Sequence, residues 1–116
     1  MARPTVPIVL IGRFTTFAGT TDCVTLPVSV QQYDRAELTC WCGGMEAGVT
    51  FEATVQGSTD GVTWADLNTF LFTASSEHTV GLDLTRPLMR AVVSLSGGTF
   101  PVVTCYLTGV LIRRRV

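Results

Sequence analysis

Cys40-Trp41-Cys42 sets two thiols two residues apart, and on an extended strand that spacing turns both to one face. With Cys23 and Cys105 added, the chain holds enough thiolates for a four-ligand zinc site. Thiolate zinc sites usually present C-x-x-C on turns, however, whereas Cys40, Cys42 and Cys105 stand within apolar alternation, where a thiol packs as a small apolar group. We therefore read all four cysteines as reduced, mostly buried and not metal ligands. His78 is the only histidine, so any Ser-His or Cys-His couple must use it. Ser75, Ser76 and Glu77 before it read as an exposed loop entering a strand, which leaves the imidazole solvated. The nine carboxylates stand singly along the chain, with no calcium-binding loop and no glycine-rich phosphate loop ahead of a helix. Catalysis has no foothold in these residues, and the expectation is a protein that is not an enzyme and takes no cofactor.

The elements that position these groups read as strands. From Val49 to Gln56, Val49, Phe51, Ala53 and Val55 alternate with Thr50, Glu52, Thr54 and Gln56, the mark of a half-buried strand. The same period puts Ala36, Leu38, Cys40 and Cys42 inside and Arg35, Glu37, Thr39 and Trp41 outside, so a tryptophan lands on the wet face. Further strands are expected over 8–15, 23–30, 65–73, 78–84, 88–95 and 102–113, separated by short polar or glycine-containing stretches. No segment keeps a helical period. Eight short strands in 116 residues predict an all-β, single-domain, antiparallel two-sheet sandwich of jelly-roll or immunoglobulin-like kind, spanning residues 1–116.

Gly57-Ser58-Thr59-Asp60-Gly61-Val62-Thr63-Trp64 falls between two of these strands, so Asp60-Gly61 is expected to form the reversal of a hairpin. Gly61 then takes a positive φ, and Trp64 folds over the hairpin as a packing residue rather than a ligand contact. VQGSTDGVTWADL followed by TVGLDLTRPLMRAVVSLSGG, within residues 53–98, resembles the second half of discoidin-like and related β-sandwich modules. Similar S-x-D-G-x-x-W hairpins occur in small structural proteins of tailed bacteriophages, which this chain also resembles in length, all-β pattern and lack of an export signal. The resemblance implies a sandwich and a virion role. It transfers no ligand site, since Asp-Gly and Trp serve the turn and its packing.

Composition narrows the partners. The net charge of −1 supplies no basic field, so nucleic acid is not an expected partner. All eight cationic residues are arginine, the cation suited to bidentate contacts at interfaces. The apolar run from Pro7 to Ile11 is too short to span a membrane and reads as neither signal nor anchor, which points to synthesis in a reducing cytoplasm.

Several apolar residues look unused in a monomer. Trp41, Leu88 and Val92 read as outward, as do Phe70, Leu71 and Phe72, and Val110 with Ile112. At the ends, an extended arm over residues 1–7 carries Arg3, Pro4 and Pro7, and a basic end over 113–116 carries Arg113, Arg114 and Arg115. These positions are the expected interface, against major capsid or other virion subunits, in an oligomer or in many copies. The functional expectation is a non-enzymatic virion component, a head decoration (cement) or accessory capsid protein. The alternative is a carbohydrate- or surface-binding module in which Trp41, Trp64 or Tyr106 stacks on a sugar.

Overall fold

The alternation seen in the sequence requires two sheets that bury their apolar faces against each other, and the computed structural model has that form. It describes residues 5–113; Arg3, Pro4, Arg114 and Arg115 lie outside the described residues. Nine strands follow one another: β1 (Thr5–Ala18), β2 (Cys23–Val24), β3 (Val28–Ser29), β4 (Arg35–Gly43), β5 (Thr50–Ser58), β6 (Ala65–Phe72), β7 (Ser76–Asp83), β8 (Leu88–Ser96) and β9 (Val102–Ile112). No helix occurs among the described residues.

One sheet runs β1-β9-β4-β7; the other runs β2-β8-β5-β6, with β3 also on β8. Every described pairing is antiparallel. With β2 and β3 counted as one interrupted strand, this is the eight-strand order of a jelly roll, in which the last strand, β9, returns to lie between β1 and β4. Of the two sandwich types expected, the strand order selects this one.

The core is the inner faces of both sheets. Ala36, Leu38, Cys40 and Cys42 of β4 meet Phe51, Ala53 and Val55 of β5, Met89, Ala91 and Val93 of β8, and Val103, Cys105 and Leu107 of β9, all buried. Phe51 and Phe72 stack at 6.1 Å within it.

Three expectations change. The segment 23–30 is two short pieces rather than one strand. Of the cysteines expected to be mostly buried, Cys40, Cys42 and Cys105 are buried and Cys23 on β2 is exposed. Residues 5–7, expected in an extended arm lying across a neighbour, open the edge strand β1 of their own sheet: Thr5, Val6 and Pro7 pair with Ile112, Leu111 and Val110. Pro7 falls on an edge strand, where a missing N–H is tolerated. Phe70 and Phe72 point into the core, at 3% and 9% exposure, and only Leu71 between them faces outward. The reason is a register shift in β6, where Val55 pairs with Asn68 but Gln56 with Asp66, leaving Leu67 unpaired and resetting the alternation.

The β5–β6 hairpin forms where expected. Ser58 Oγ accepts from the backbone N–H groups of Asp60 and Gly61 at 3.2 and 2.8 Å, and Asp60 Oδ1 accepts from those of Val62 and Thr63 at 2.9 and 2.8 Å. These bonds hold the Asp60 carboxyl below the ordinary carboxylate range. Gly61 has φ 79°. Gly61→Val should lower stability by about 1 to 2 kcal/mol, since a branched residue is strained at that φ. Gly109→Ala should cost more, about 3 kcal/mol, because its β-carbon would run into the backbone of Glu37 across the β4–β9 pair. Urea denaturation of both variants checks the order; equal losses would mean that the sheet absorbs the methyl.

Candidate functional site

On the outer face of the β1-β9-β4-β7 sheet, β-pairing brings three aromatic rings together. Trp41 of β4 stands opposite Tyr106 of β9 and opposite Glu77 of β7. The two rings stack at 5.6 Å with 18° between their planes. Phe14 of β1 meets both edge-on, at 5.6 Å from Trp41 and 6.3 Å from Tyr106. The Arg13 guanidinium lies over the Tyr106 ring at 4.8 Å, and the Tyr106 hydroxyl donates to Glu77 Oε2 at 2.5 Å. The indole also lies over Gly43, where a β-carbon would collide with it.

Phe14 is placed there by a distortion of β1. Ile11 pairs with Leu107 and Thr15 with Cys105, so β1 spends four steps where β9 spends two. Thr15 Oγ1 donates to the Gly12 carbonyl at 2.7 Å and closes the loop-out. At its crest Phe14 has φ 62°, the one described non-glycine residue with a positive φ, and the residue is 64% exposed. A bulky residue in that conformation is strained by about 1 kcal/mol or more, and the ring it holds up is mostly in water. Val9, on the same outer face, is 58% exposed.

The expected interface residues do not all converge. Trp41 belongs to this patch, and Pro7, Val110 and Ile112 lie on the same outer face toward the chain ends. Leu88 and Val92 are half-buried on the outer face of the opposite sheet, where Val92 pairs with Val24 and Thr54. Arg113 is held by its own chain: Nη2 donates to Gln32 Oε1 at 2.6 Å, and the guanidinium lies 5.7 Å from the Tyr33 ring centre. Trp64 packs as expected, beneath the Arg90 guanidinium at 4.2 Å. Arg90 donates in turn to Gln56, which donates to Asp66. Sequence reasoning missed Arg13 and Phe14. Their signal was the break in the β1 alternation, where Leu10 and Ile11 are both buried before Gly12.

His78 sits on β7 with its ring against Phe70 at 6.4 Å, beside a shallow cleft lined by Thr69, Phe70, Leu71 and Phe72. Among the described residues no three His, Cys, Asp or Glu side chains converge as metal ligands. Cys42 and Cys105 face each other across β4–β9, with Cys40 one step along. Burial pushes the Cys40, Cys42 and Cys105 thiols up, Cys105 to about 12, which favours the protonated form of each.

No protein-family model matches the sequence, and no curated protein sequence matches it. Solved structures do match in fold. The VP2 subviral particle of infectious bursal disease virus superposes with a TM-score of 0.63 at 10% identity, over 94% of this chain and 32% of that chain. The exported protein XepA of PBSX gives 0.62 at 14% identity, over 92% of this chain and 36% of that one. The SPBc2 prophage-derived protein YomS gives 0.60 at 14%, over 97% of this chain and 96% of that chain. The chain thus spans about a third of the viral chain and of XepA and nearly all of YomS. It is a jelly-roll β-sandwich resembling viral capsid and phage-derived domains.

Two measurements check the site. Ellman's reagent should find one fast thiol in the native protein, Cys23, and four after unfolding; a second fast thiol would show that the sandwich opens. The bond to Glu77 raises the Tyr106 pKa above the ordinary tyrosine range. A raised pKa means that this stabilisation is present at neutral pH and is lost as pH climbs through the folded-state value. Absorbance titration at alkaline pH should show one late-ionising tyrosine, which moves to lower pH in Glu77→Gln.

Proposed function

We propose that the protein is a non-enzymatic structural subunit of a tailed-phage virion, a decoration (cement) or accessory head component. It acts by seating the outer face of its β1-β9-β4-β7 sheet on neighbouring virion subunits. The observation that carries this reading is Phe14, an aromatic ring lifted into solvent by a strained backbone and a two-residue excess in β1. The edge contacts with Trp41 and Tyr106 offset that strain only in part, and covering of the exposed ring by a partner would offset more of it. The fold supports the reading, since capsid and prophage-derived proteins are built on the same sandwich. Such a subunit needs no reactive group, because its work is buried area repeated over many copies.

The carbohydrate alternative is weaker on the same geometry. A sugar platform needs an open ring face, yet Trp41 and Tyr106 stack on each other, and Arg13 occupies Tyr106, which is only 9% exposed.

Phe14→Gly separates the roles. Relief of the positive φ offsets the lost ring contacts, so its melting temperature should stay within about 4 °C of the parent. Its occupancy on particles should fall by at least about tenfold, as expected for loss of an aromatic anchor worth 1.4 kcal/mol or more. Quantitative mass analysis of purified particles is the readout. Unchanged occupancy of both Phe14→Gly and Trp41→Ser would remove this face from assembly, and specific binding to a glycan array would favour the alternative.

A further inference from the structure

The four margins of the sandwich are not protected alike. A bare strand edge invites pairing with another chain, and proteins blunt it with proline, bulges or very short strands. β1 carries Pro7 and its loop-out, β2 and β3 are two residues each, and β6 carries the shift at Leu67. β7 has none of these. Its eight residues, Ser76–Asp83, pair with β4 from Arg35↔Asp83 to Cys42↔Ser76 without a shift, and most are exposed.

The ladder also fixes which backbone groups point outward. Leu84 N–H donates to the Asp34 carbonyl at 2.7 Å, so even-numbered residues of β7 face β4 and Glu77, Thr79, Gly81 and Asp83 turn their N–H and C=O to the open edge. Side chains alternate as well. Glu77, Thr79 and Gly81 lie on the outer face, and His78 and Val80 lie on the inner face beside the cleft under Phe70 and Phe72.

We propose that this edge pairs with β7 of a second copy, antiparallel across a two-fold axis at Thr79, joining two four-stranded sheets into one of eight. The register follows from charge. With Thr79 opposite the second copy's Thr79, Glu77 falls opposite the second copy's Gly81, and His78 falls opposite its Val80. Over Gly81, in the space a β-carbon would fill, lies Arg35 Nη2, while Nη1 of the same guanidinium pairs within the chain with Asp83 Oδ1 at 3.3 Å. Glu77 of each copy therefore meets Arg35 of the other, twice across the axis, with Tyr106 holding Oε2 and Oε1 left to face the guanidinium. A shift by one step, to Val80 opposite Val80, would instead set Glu77 against Asp83, like charge against like. Only glycine leaves position 81 open to that guanidinium, and the outward groups of Glu77, Thr79 and Gly81 pair fully in the proposed register. The contact adjoins the aromatic face through Glu77 and leaves Phe14, on β1 at the far margin of the same sheet, outside it.

Sedimentation equilibrium of the full chain, over about 10 to 500 µM, tests it in the range where an interface below the standard size associates. The parent should show a monomer–dimer equilibrium. Thr79→Pro removes an outward donor, and Thr79→Arg sets two like charges face to face; each should raise the dissociation constant by at least about tenfold with an unchanged far-ultraviolet dichroism spectrum. Arg35→Glu should weaken the dimer, and Arg35→Glu with Glu77→Arg should restore it. Phe14→Gly should leave it intact. A parent that stays monomeric, a dimer untouched by Thr79→Arg, or a dimer dissolved by Phe14→Gly would overturn the proposal, the last by placing the second copy on the aromatic face.

Discussion

Everything in this molecule depends on β9 lying between β1 and β4. That strand joins the end of the chain to its beginning and to its middle, Ile112 beside both Thr5 and Arg35. Until it is in place, β1 has no partner strand in its sheet and β4 has only β7. The fit is close enough that Gly109 has no room for a methyl group against the Glu37 carbonyl. The same insertion builds the candidate site, since Tyr106 reaches Trp41 and Phe14 only because β9 runs between their strands.

The two outer faces then differ in kind. On the β2-β8-β5-β6 sheet the long polar groups satisfy one another: Arg90 spans Trp64 and Gln56, Gln56 reaches Asp66, and Thr54 meets Thr69 at 3.2 Å. On the β1-β9-β4-β7 sheet the centre is aromatic, and the polar groups, Arg13 and Glu77, flank the rings. A polar network closed on itself gains little from a partner, whereas an exposed ring gains by losing its contact with water. That asymmetry makes the β1-β9-β4-β7 sheet the better candidate for the seated face, although the other sheet also carries exposed apolar residues, Val24 and Leu71.

Much of this was legible in the sequence. A period of two needs no knowledge of pairing, so the inward sets of β4 and β5, and the odd position of Trp41, could be read directly. The hairpin at Asp60-Gly61 was legible for a similar reason, since its hydrogen bonds are local and Ser58, Asp60 and Gly61 are the residue types they require. What failed was phase. One unpaired residue, Leu67, carries Phe70 and Phe72 from the outer face to the core, and the excess residues in β1 turn Phe14 outward. A bulge has no strong composition of its own, because it is selected by the neighbouring strand that it must match. The jelly-roll order was equally out of reach, being a matter of which distant strands meet.

The thiols complete the argument about where this protein does its work. Cys40, Cys42 and Cys105 share one inner face, and Cys42 and Cys105 stand directly across two strands. Burial works against their reactivity, because a thiol must lose its proton to act as a nucleophile or as a metal ligand, and an apolar interior opposes the charge. The interior is thus chemically quiet by the same packing that holds the sheets together. What is left unsatisfied among the described residues lies outside, at a strained phenylalanine and along one unguarded strand edge, the two features on which the proposed contacts rest.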